Sequence, residues 1–329
     1  MRAAVVSKFG GPEVFQLVEM PDPVPGPGEV VIGVEVIDTL WLETAVRSGA
    51  AQEYWPMRPP YVPGGGVAGQ IVQVGAGVDQ ELRGRRVAAH TPGVGGYADQ
   101  TVVAAEAVVT VPDGVNLTTA AALLHDGVTA LALFDVTKVG PGDGVLVVGA
   151  SGGLGVLCVQ LARARAGRVV AVARGAKLER VARLHPDALI DSARPDWIEQ
   201  AQAVLGRHGA DVVLDNVGGQ LGEAAFTLVA RGGRFSAHGS PSGRFAYLDR
   251  QAANERGIAV TGIEAAQLAG RNRSNYLEQA LREAAAGVIA PVIGQTFPLD
   301  QAGAAHAAIE SRTVFGKTLI TTPRDLRRT

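Results

Sequence analysis

From Val145 to Gly155 the chain reads V-L-V-V-G-A-S-G-G-L-G. Gly149, Gly152 and Gly155 recur at a constant spacing after an apolar, β-branched run, and a helical pattern follows at once in Val156, Leu157, Val159, Gln160, Leu161 and Ala162. A strand, a tight glycine turn and a helix start can bind a dinucleotide pyrophosphate. Glycines let the backbone turn sharply and let phosphates approach closely. The free N–H groups and positive dipole end of the new helix then hold the anion. In a chain with 43 glycines the same spacing also reads as a strand-to-helix turn that binds nothing.

A second chemical signal follows the next apolar run, Arg168 to Ala173. An NAD-selecting site places Asp or Glu near the end of that strand, about 20 residues past the glycine turn, to bond the ribose 2′-OH. Here that position is Arg174, in Arg174-Gly175-Ala176-Lys177. No carboxylate stands there to repel a 2′-phosphate. Two cations are placed to attract one, and arginine can grip it with two parallel hydrogen bonds. The pattern selects NADPH over NADH. The plainer reading of Lys177 and Arg180 is a solvated helix face.

These groups need a scaffold. Further strand candidates are Asp187 to Asp191, Ala210 to Asp215, Gly233 to Ser236 and Gly257 to Gly262, mostly separated by helical patterns. Strands alternating with helices mean a parallel sheet covered on both faces, a doubly wound Rossmann domain from about 121 to 290. Residues 1 to about 120 differ. Short strand-like runs (Glu29 to Val36, Val67 to Val74, Arg86 to Ala89, Tyr97 to Val103) are punctuated by Gly and Pro, which suggests a partly open β-barrel. Residues 291–329 return to that mixed pattern, with Gly316 to Thr321 as a final strand packed on the first domain. A cofactor and its substrate usually meet in the cleft of such a pair.

Bulk properties narrow the partners. The 329 residues are enough for two domains. Aromatic content is 5% against 47% hydrophobic, so the core is built from Ala, Val and Leu. A net charge of −2 argues against nucleic acid. No apolar run is long enough to span a bilayer, and Met1 to Lys8 reads as a first strand rather than a secretory signal. The sole cysteine, Cys158, excludes an intramolecular disulfide and fits a reducing cytoplasm. Gly257 to Gly262 reads as the last Rossmann strand, with Ile258 and Val260 alternating on an unpaired edge. Pairing with a second copy would satisfy that edge, so a homodimer is expected.

The order of several motifs resembles the quinone oxidoreductase (zeta-crystallin-like), zinc-independent branch of the medium-chain dehydrogenase/reductase superfamily. The likeness runs nearly end to end. It is carried by Pro63-Gly64-Gly65-Gly66-Val67-Ala68-Gly69 with Val72-Gln73-Val74-Gly75, Gly84-Arg85-Arg86-Val87, Gly95-Gly96-Tyr97-Ala98, and Ala121 through Ala130. It continues in Gly149 to Gly155 and in Asp211 to Gly219. The resemblance implies a GroES-like partly open β-barrel domain (1–120, completed by 291–329) and a Rossmann NADPH-binding domain (121–290). It implies that Gly152, Gly153 and Leu154, with Ser151 in the same turn, approach the pyrophosphate, and that Arg174 and Lys177 hold the 2′-phosphate. Thr129 and Asn216 should lie along the cofactor, His238, Gly239 and Ser240 near the nicotinamide, and Lys317 close to the cofactor.

Zinc-dependent relatives carry Gly-His-Glu where this chain has Gly64-Gly65-Gly66. A tetrahedral zinc needs three or four converging ligands. Cys158 sits within a Rossmann helix, where a small buried hydrophobe is the plainer reading. The six histidines (His90, His125, His185, His208, His238, His306) show no paired spacing, so no catalytic metal is expected. The family often carries Asn shortly before the element matched by Arg47-Ser48-Gly49; here that position is Leu40, which either makes the pocket wall more apolar or belongs to the core.

Without metal, the protein must position the cofactor against an electrophilic carbon and exclude water. Quinones and α,β-unsaturated carbonyls suit this, because conjugation spreads the incoming charge. A simple alcohol wants a Lewis acid for its alkoxide. The expected reaction is NADPH-dependent reduction of a quinone, or alternatively of an enone or enoyl thioester in a biosynthetic pathway; a low-turnover dinucleotide-binding scaffold is the third reading. Tyr54, just after Arg47-Ser48-Gly49 where relatives often carry a pocket tyrosine, is the leading donor to the developing oxyanion, and otherwise a half-buried loop aromatic. Tyr61 and His238 are weaker candidates. His125 replaces a usually apolar residue and either faces the cleft or stabilises a helix turn.

Overall fold

The structure, a computed structural model, describes residues 1–53, 55–269 and 273–322. Two compact units divide it. The first holds Met1–His125, Leu277–Ala285 and the segment from Ile293 onward; the second holds Asp126–Tyr276 and Ala286–Val292. The expected boundary at 120/121 moves to His125/Asp126 because a helix ending at Leu123 packs on the barrel strands. Leu277–Ala285, assigned from sequence to the Rossmann domain, goes with the first unit.

The first unit begins with β1 (Arg2–Val6) and β2 (Phe15–Glu19), an antiparallel pair. Then come β3 (Glu29–Asp38), helix α1 (Trp41–Ser48), β4 (Gly66–Val74), β5 (Arg86–His90), β6 (Gln100–Ala104), β7 (Val108–Thr110) and α2 (Leu117–Leu123). The second unit holds α3 (Asp126–Thr137), β8 (Gly144–Val148), α4 (Gly153–Arg165), β9 (Arg168–Ala173), α5 (Leu178–Ala182), β10 (Ala188–Asp191) and α6 (Trp197–Leu205). It continues with β11 (Ala210–Asp215), α7 (Gly219–Phe226), β12 (Val229–Ala237), α8 (Arg250–Arg256), β13 (Ala259–Gly262) and α9 (Ile263–Ala269). Then α10 (Arg273–Ala285), β14 (Ile293–Pro298), α11 (Ala302–Glu310) and β15 (Lys317–Thr321) return the chain to the first unit.

In the first unit β3 is the central strand. The sheet runs β14-β15-β3-β4-β5-β7, and β6 also pairs with β3. Two register shifts against β4 bend β3, which lets one strand serve several neighbours. Alternate residues Val30, Ile32 and Val34 enter the core with Val67, Ile71, Val87 and Ile320. The small and branched residues needed for a core poor in aromatics are therefore in place.

The second unit is a six-stranded sheet ordered β10-β9-β8-β11-β12-β13. Every neighbouring pair is parallel. This is the doubly wound order, and its switch point falls between β8 and β11, where ligands bind outside the strands' carboxyl ends. Both sheet faces are buried, so the strands read as near-continuous apolar runs. The expected last strand is shorter than its apolar pattern. Gly257 takes a left-handed conformation to end α8, Ile258 drops into the core, and only Ala259–Gly262 pairs with β12. Val260 is 42% exposed on that edge. Among the described residues no single helix is long and apolar enough to cross a membrane.

Candidate cofactor site and a buried polar cluster

The glycine turn links β8 to α4 and lies at the switch point. Gly149 has φ +74°, and a Cβ there would meet Val217 Cγ2 at 2.6 Å. A Cβ on Gly155 would come within 2.2 Å of the Gly149 carbonyl oxygen, so α4 can seat on the turn only because residue 155 has no side chain. Gly152 differs. It is the N-cap of α4, carries no capping side chain, and a Cβ there would meet nothing closer than 3.8 Å. The first N–H groups of the helix, at Gly153 and Leu154, therefore face a space that an anion can fill. Ser151, in the same turn, is half-buried.

At the end of β9, Arg174 is exposed and Lys177 half-buried, the latter's ammonium pushed down by that burial. A carboxylate does come near this loop, from the next strand. Asp191 Oδ1 accepts the N–H groups of Ala193 (2.9 Å) and Gly175 (3.0 Å), and those bonds hold its carboxyl below the ordinary range. The sequence shows only the end of β9; the adjacent strand's contribution depends on parallel register. Arg174 and Lys177 remain the cations there, beside a carboxylate committed to backbone.

At the ends of β11 and β12 three side chains lock together. Asn216 Nδ2 donates to the Val148 carbonyl at 2.8 Å, so its Oδ1 faces His238 Nε2 at 2.9 Å as the acceptor. Nε2 thereby donates to Asn216, and Nδ1 faces the Ser236 hydroxyl at 3.0 Å and the Ser236 carbonyl at 3.2 Å. Burial pushes this imidazole down to about 4, so it stays neutral. His238, a weak catalytic candidate from the sequence, has both ring nitrogens engaged, by Asn216 and by Ser236. The next residue has to be glycine, since a Cβ on Gly239 would fall 1.9 Å from the Asn216 carbonyl carbon. Ser240 and, in the first turn of α3, Thr129 are half-buried. The turn at Gly152, Arg174, Asn216 and His238 thus line up along the carboxyl edge of one sheet.

Lys317, expected from the sequence close to the cofactor, belongs to the first unit. It is 5% exposed, and its Nζ stands 2.7 Å from Oδ1 of Asp38, a carboxylate that is itself 1% exposed. Asp38 Oδ2 meets His125 Nδ1 at 2.7 Å. Burial pushes the Asp38 carboxyl up, but the Lys317 charge and the bond and charge of His125 outweigh it and hold the group below the ordinary carboxylate range. His90 closes the cluster, its ring edge-on to that of His125 with centroids 4.8 Å apart.

A second buried chain of polar groups supports α1. Leu40 is the N-cap but has no side-chain oxygen; Glu43, three residues on, takes the Leu40 N–H at 3.0 Å instead. Leu40 is half-buried, neither a fully buried core residue nor a capping amide. Glu43 also accepts from Gly65 N–H at 3.2 Å and from the Tyr97 hydroxyl at 2.8 Å, and Tyr97 accepts from His306 Nε2 at 3.0 Å. Burial pushes Glu43 up, against its hydrogen bonds, and pushes His306 down to about 3, with Arg47 adding to the second effect. Tyr61 is half-buried with no hydrogen-bond partner for its hydroxyl among the described residues; burial and the Glu43 charge push it up to about 12.

Tyr54 lies outside the described residues. Sequence reasoning missed Asp38, His90 and His306, and left His125 between two roles. Their signal is tertiary: β3, β5, the α2–α3 bend and β15 gather Asp38, His90, His125 and Lys317, and α11 sets His306 beside Tyr97, from positions with no common spacing. Among the described residues no group of three or more His, Cys, Asp or Glu side chains is arranged to hold a metal ion. Cys158 is fully buried, and burial pushes its thiol up.

Residues 26–113 match the alcohol dehydrogenase GroES-like domain, and residues 184–320 match the zinc-binding dehydrogenase family. A 2-haloacrylate reductase from Burkholderia sp is 31% identical, covering 97% of this chain and 98% of that protein. A quinone oxidoreductase from Mus musculus is 32% identical over 94% of each chain. The solved Escherichia coli quinone oxidoreductase complexed with NADPH superposes with a TM-score of 0.86 at 26% identity, covering 98% of this chain and 100% of that one. With the doubly wound sheet, its glycine turn and a GroES-like unit all matched, the chain belongs to the quinone oxidoreductase branch of the medium-chain dehydrogenase/reductase superfamily.

Proposed function

We propose that the chain is an NADPH-dependent oxidoreductase that delivers hydride to a quinone or another conjugated carbonyl. One observation carries the reading: the uncapped N-terminus of α4 opens at Gly152 on the same sheet edge as Arg174 and Lys177. The relatives named quinone oxidoreductase and the neighbour solved with NADPH support it. When bound, the cofactor supplies a hydride at its dihydronicotinamide ring. The chain's own groups do the rest. The N–H groups of Gly153 and Leu154 take the pyrophosphate, and Arg174 and Lys177 take the 2′-phosphate. The Asn216–His238 lock fixes the loop at Gly239 and Ser240. Tyr54 is the proposed donor to the developing oxyanion. We place the reaction without zinc, because Gly64, Gly65 and Gly66 have no donors to give and the only cysteine is enclosed in α4. We also place the chain in the cytoplasm, where its single buried thiol stays reduced.

Reduction of an activated alkene is the second reading, favoured by the 2-haloacrylate reductase relative. NADPH oxidation with 9,10-phenanthrenequinone and with a 2-alkenal tests both. Turnover of either supports the proposal. Turnover of neither, with robust NADP⁺-dependent oxidation of ethanol, overturns it.

A further inference from the structure

We propose that His125, its ring oriented by Asp38, is the proton donor when this chain reduces an α,β-unsaturated carbonyl. The inference rests on the oxidoreductase reading and deepens it toward the alkene class.

The geometry has four parts. Asp38 fixes one edge of the imidazole through Nδ1 at 2.7 Å. Lys317, 2.7 Å from the other carboxylate oxygen, supplies the charge that keeps this enclosed acid ionised and therefore an acceptor. The opposite nitrogen, Nε2, has no hydrogen-bond partner among the described residues, and the side chain is 23% exposed while Asp38 is sealed. Finally, Gly65 and Gly66 make room for the ring. A Cβ on Gly65 would lie 3.2 Å from Nε2, and one on Gly66 would lie 3.0 Å from Cε1. One nitrogen of His125 is anchored, and the other is left without a partner among the described residues. A carboxylate behind an imidazole fixes its tautomer and steadies the charged ring, the arrangement general acids and bases use.

The step balances. Hydride from the reduced nicotinamide forms a C–H bond at the β-carbon, and the alkene pair shifts to leave an enolate. Protonated His125 gives the Nε2 proton to the enolate, the N–H bond breaks, and the ring is left neutral with its remaining proton on Nδ1, facing Asp38. Water restores the Nε2 proton through the exposed edge. A quinone needs this help less: its hydroquinone monoanion is a weaker base, and water protonates it after release.

His125→Gln separates these demands. The variant should keep NADPH affinity and phenanthrenequinone turnover within about threefold, lose about 100-fold in kcat toward 2-alkenals with little change in KM, and regain part of that loss with millimolar imidazole. Equal losses on both substrates, or no loss on the alkenal, would overturn the proposal. A readout independent of turnover uses ¹⁵N-histidine NMR of the unmutated protein without cofactor. The His125 resonance should report a protonated Nδ1 that Asp38→Asn perturbs. An unprotonated Nδ1 would refute the geometry even if His125→Gln failed to fold. If the unmutated protein turns over neither substrate, the oxidoreductase reading itself fails, while the NMR result still judges the Asp38–His125 pair.

Discussion

Arg174 and Lys177 stand together at the end of β9, and each offers a charge-assisted contact to a phosphate worth about 1.5–3 kcal/mol. Replacing both with alanine should weaken NADPH binding by two to four orders of magnitude, on the order of those two contacts summed, and leave NADH nearly untouched. Equal affinities before and after the change would show that the 2′-phosphate lies elsewhere. His306 and His238 make a different prediction. Folding holds them at about 3 and about 4, against an ordinary value of 6.5. Between those values and 6.5 the unfolded chain binds the extra protons. Their stabilising effect is therefore whole above about pH 6.5 and drains as pH falls, at up to about 1.4 kcal/mol per pH unit for each. His306→Gln should flatten the dependence of Tm on pH below 6.5, and an unchanged slope would remove His306 from the account. At this scale the sequence was legible where a residue acts through its neighbours in the chain. Arg174 could be read because its meaning depends on distance from Gly155 along one βαβ unit. Asp38, Lys317 and His90 could not, because their encounter depends on which strands pair.

The elements show the same division. The β8–turn–α4 unit is local, and its glycines speak for themselves: Gly155 is where a helix presses on the turn that launched it. Gly155→Ala should push α4 off the Gly149 carbonyl, costing about 1–3 kcal/mol in stability and weakening dinucleotide binding together. Loss of Tm with cofactor affinity intact would mean that the helix end does not hold the pyrophosphate. In α1, by contrast, the missing Asn at Leu40 left two readings, a more apolar pocket wall or a core residue. The structure gives the capping work to Glu43, whose side chain reaches back one turn. Existence of strands was readable from apolar runs, but their ends were not. Ile258 is apolar enough to extend β13, yet Gly257 ends α8 in a left-handed turn and sends Ile258 inward instead.

At the scale of the whole molecule, the edge strand β13 carries the expectation of a homodimer. Among the described residues its outer edge has no strand partner and Val260 is exposed, so a second copy related by two-fold symmetry is the expected partner. Sedimentation at micromolar concentration should give twice the chain mass, and Val260→Lys should shift it to the monomer. A monomer before substitution would leave that edge to some other device. The same purified protein should contain no stoichiometric zinc by elemental analysis and should keep its activity through prolonged chelation; one zinc per chain would reverse the metal-free assignment.

Strand β15 is made late and used early. It pairs antiparallel with β3, setting Leu319 opposite Asp38, and it brings the ammonium of Lys317 to that carboxylate. On the ribosome, β3 emerges almost three hundred residues before its neighbour, since residue 38 must wait for residue 317. Until then Asp38 has only the His125 ring beside it and lacks its ammonium partner, and burying a carboxylate without that charge is unfavourable. The parallel sheet between them is nearly continuous in sequence and has no such debt to wait for. The expected order of closure on the ribosome is the nucleotide-binding unit first and the barrel only once β15 arrives. Chains arrested before β15 should yield a protease-resistant fragment from the middle of the protein and a digested N-terminus.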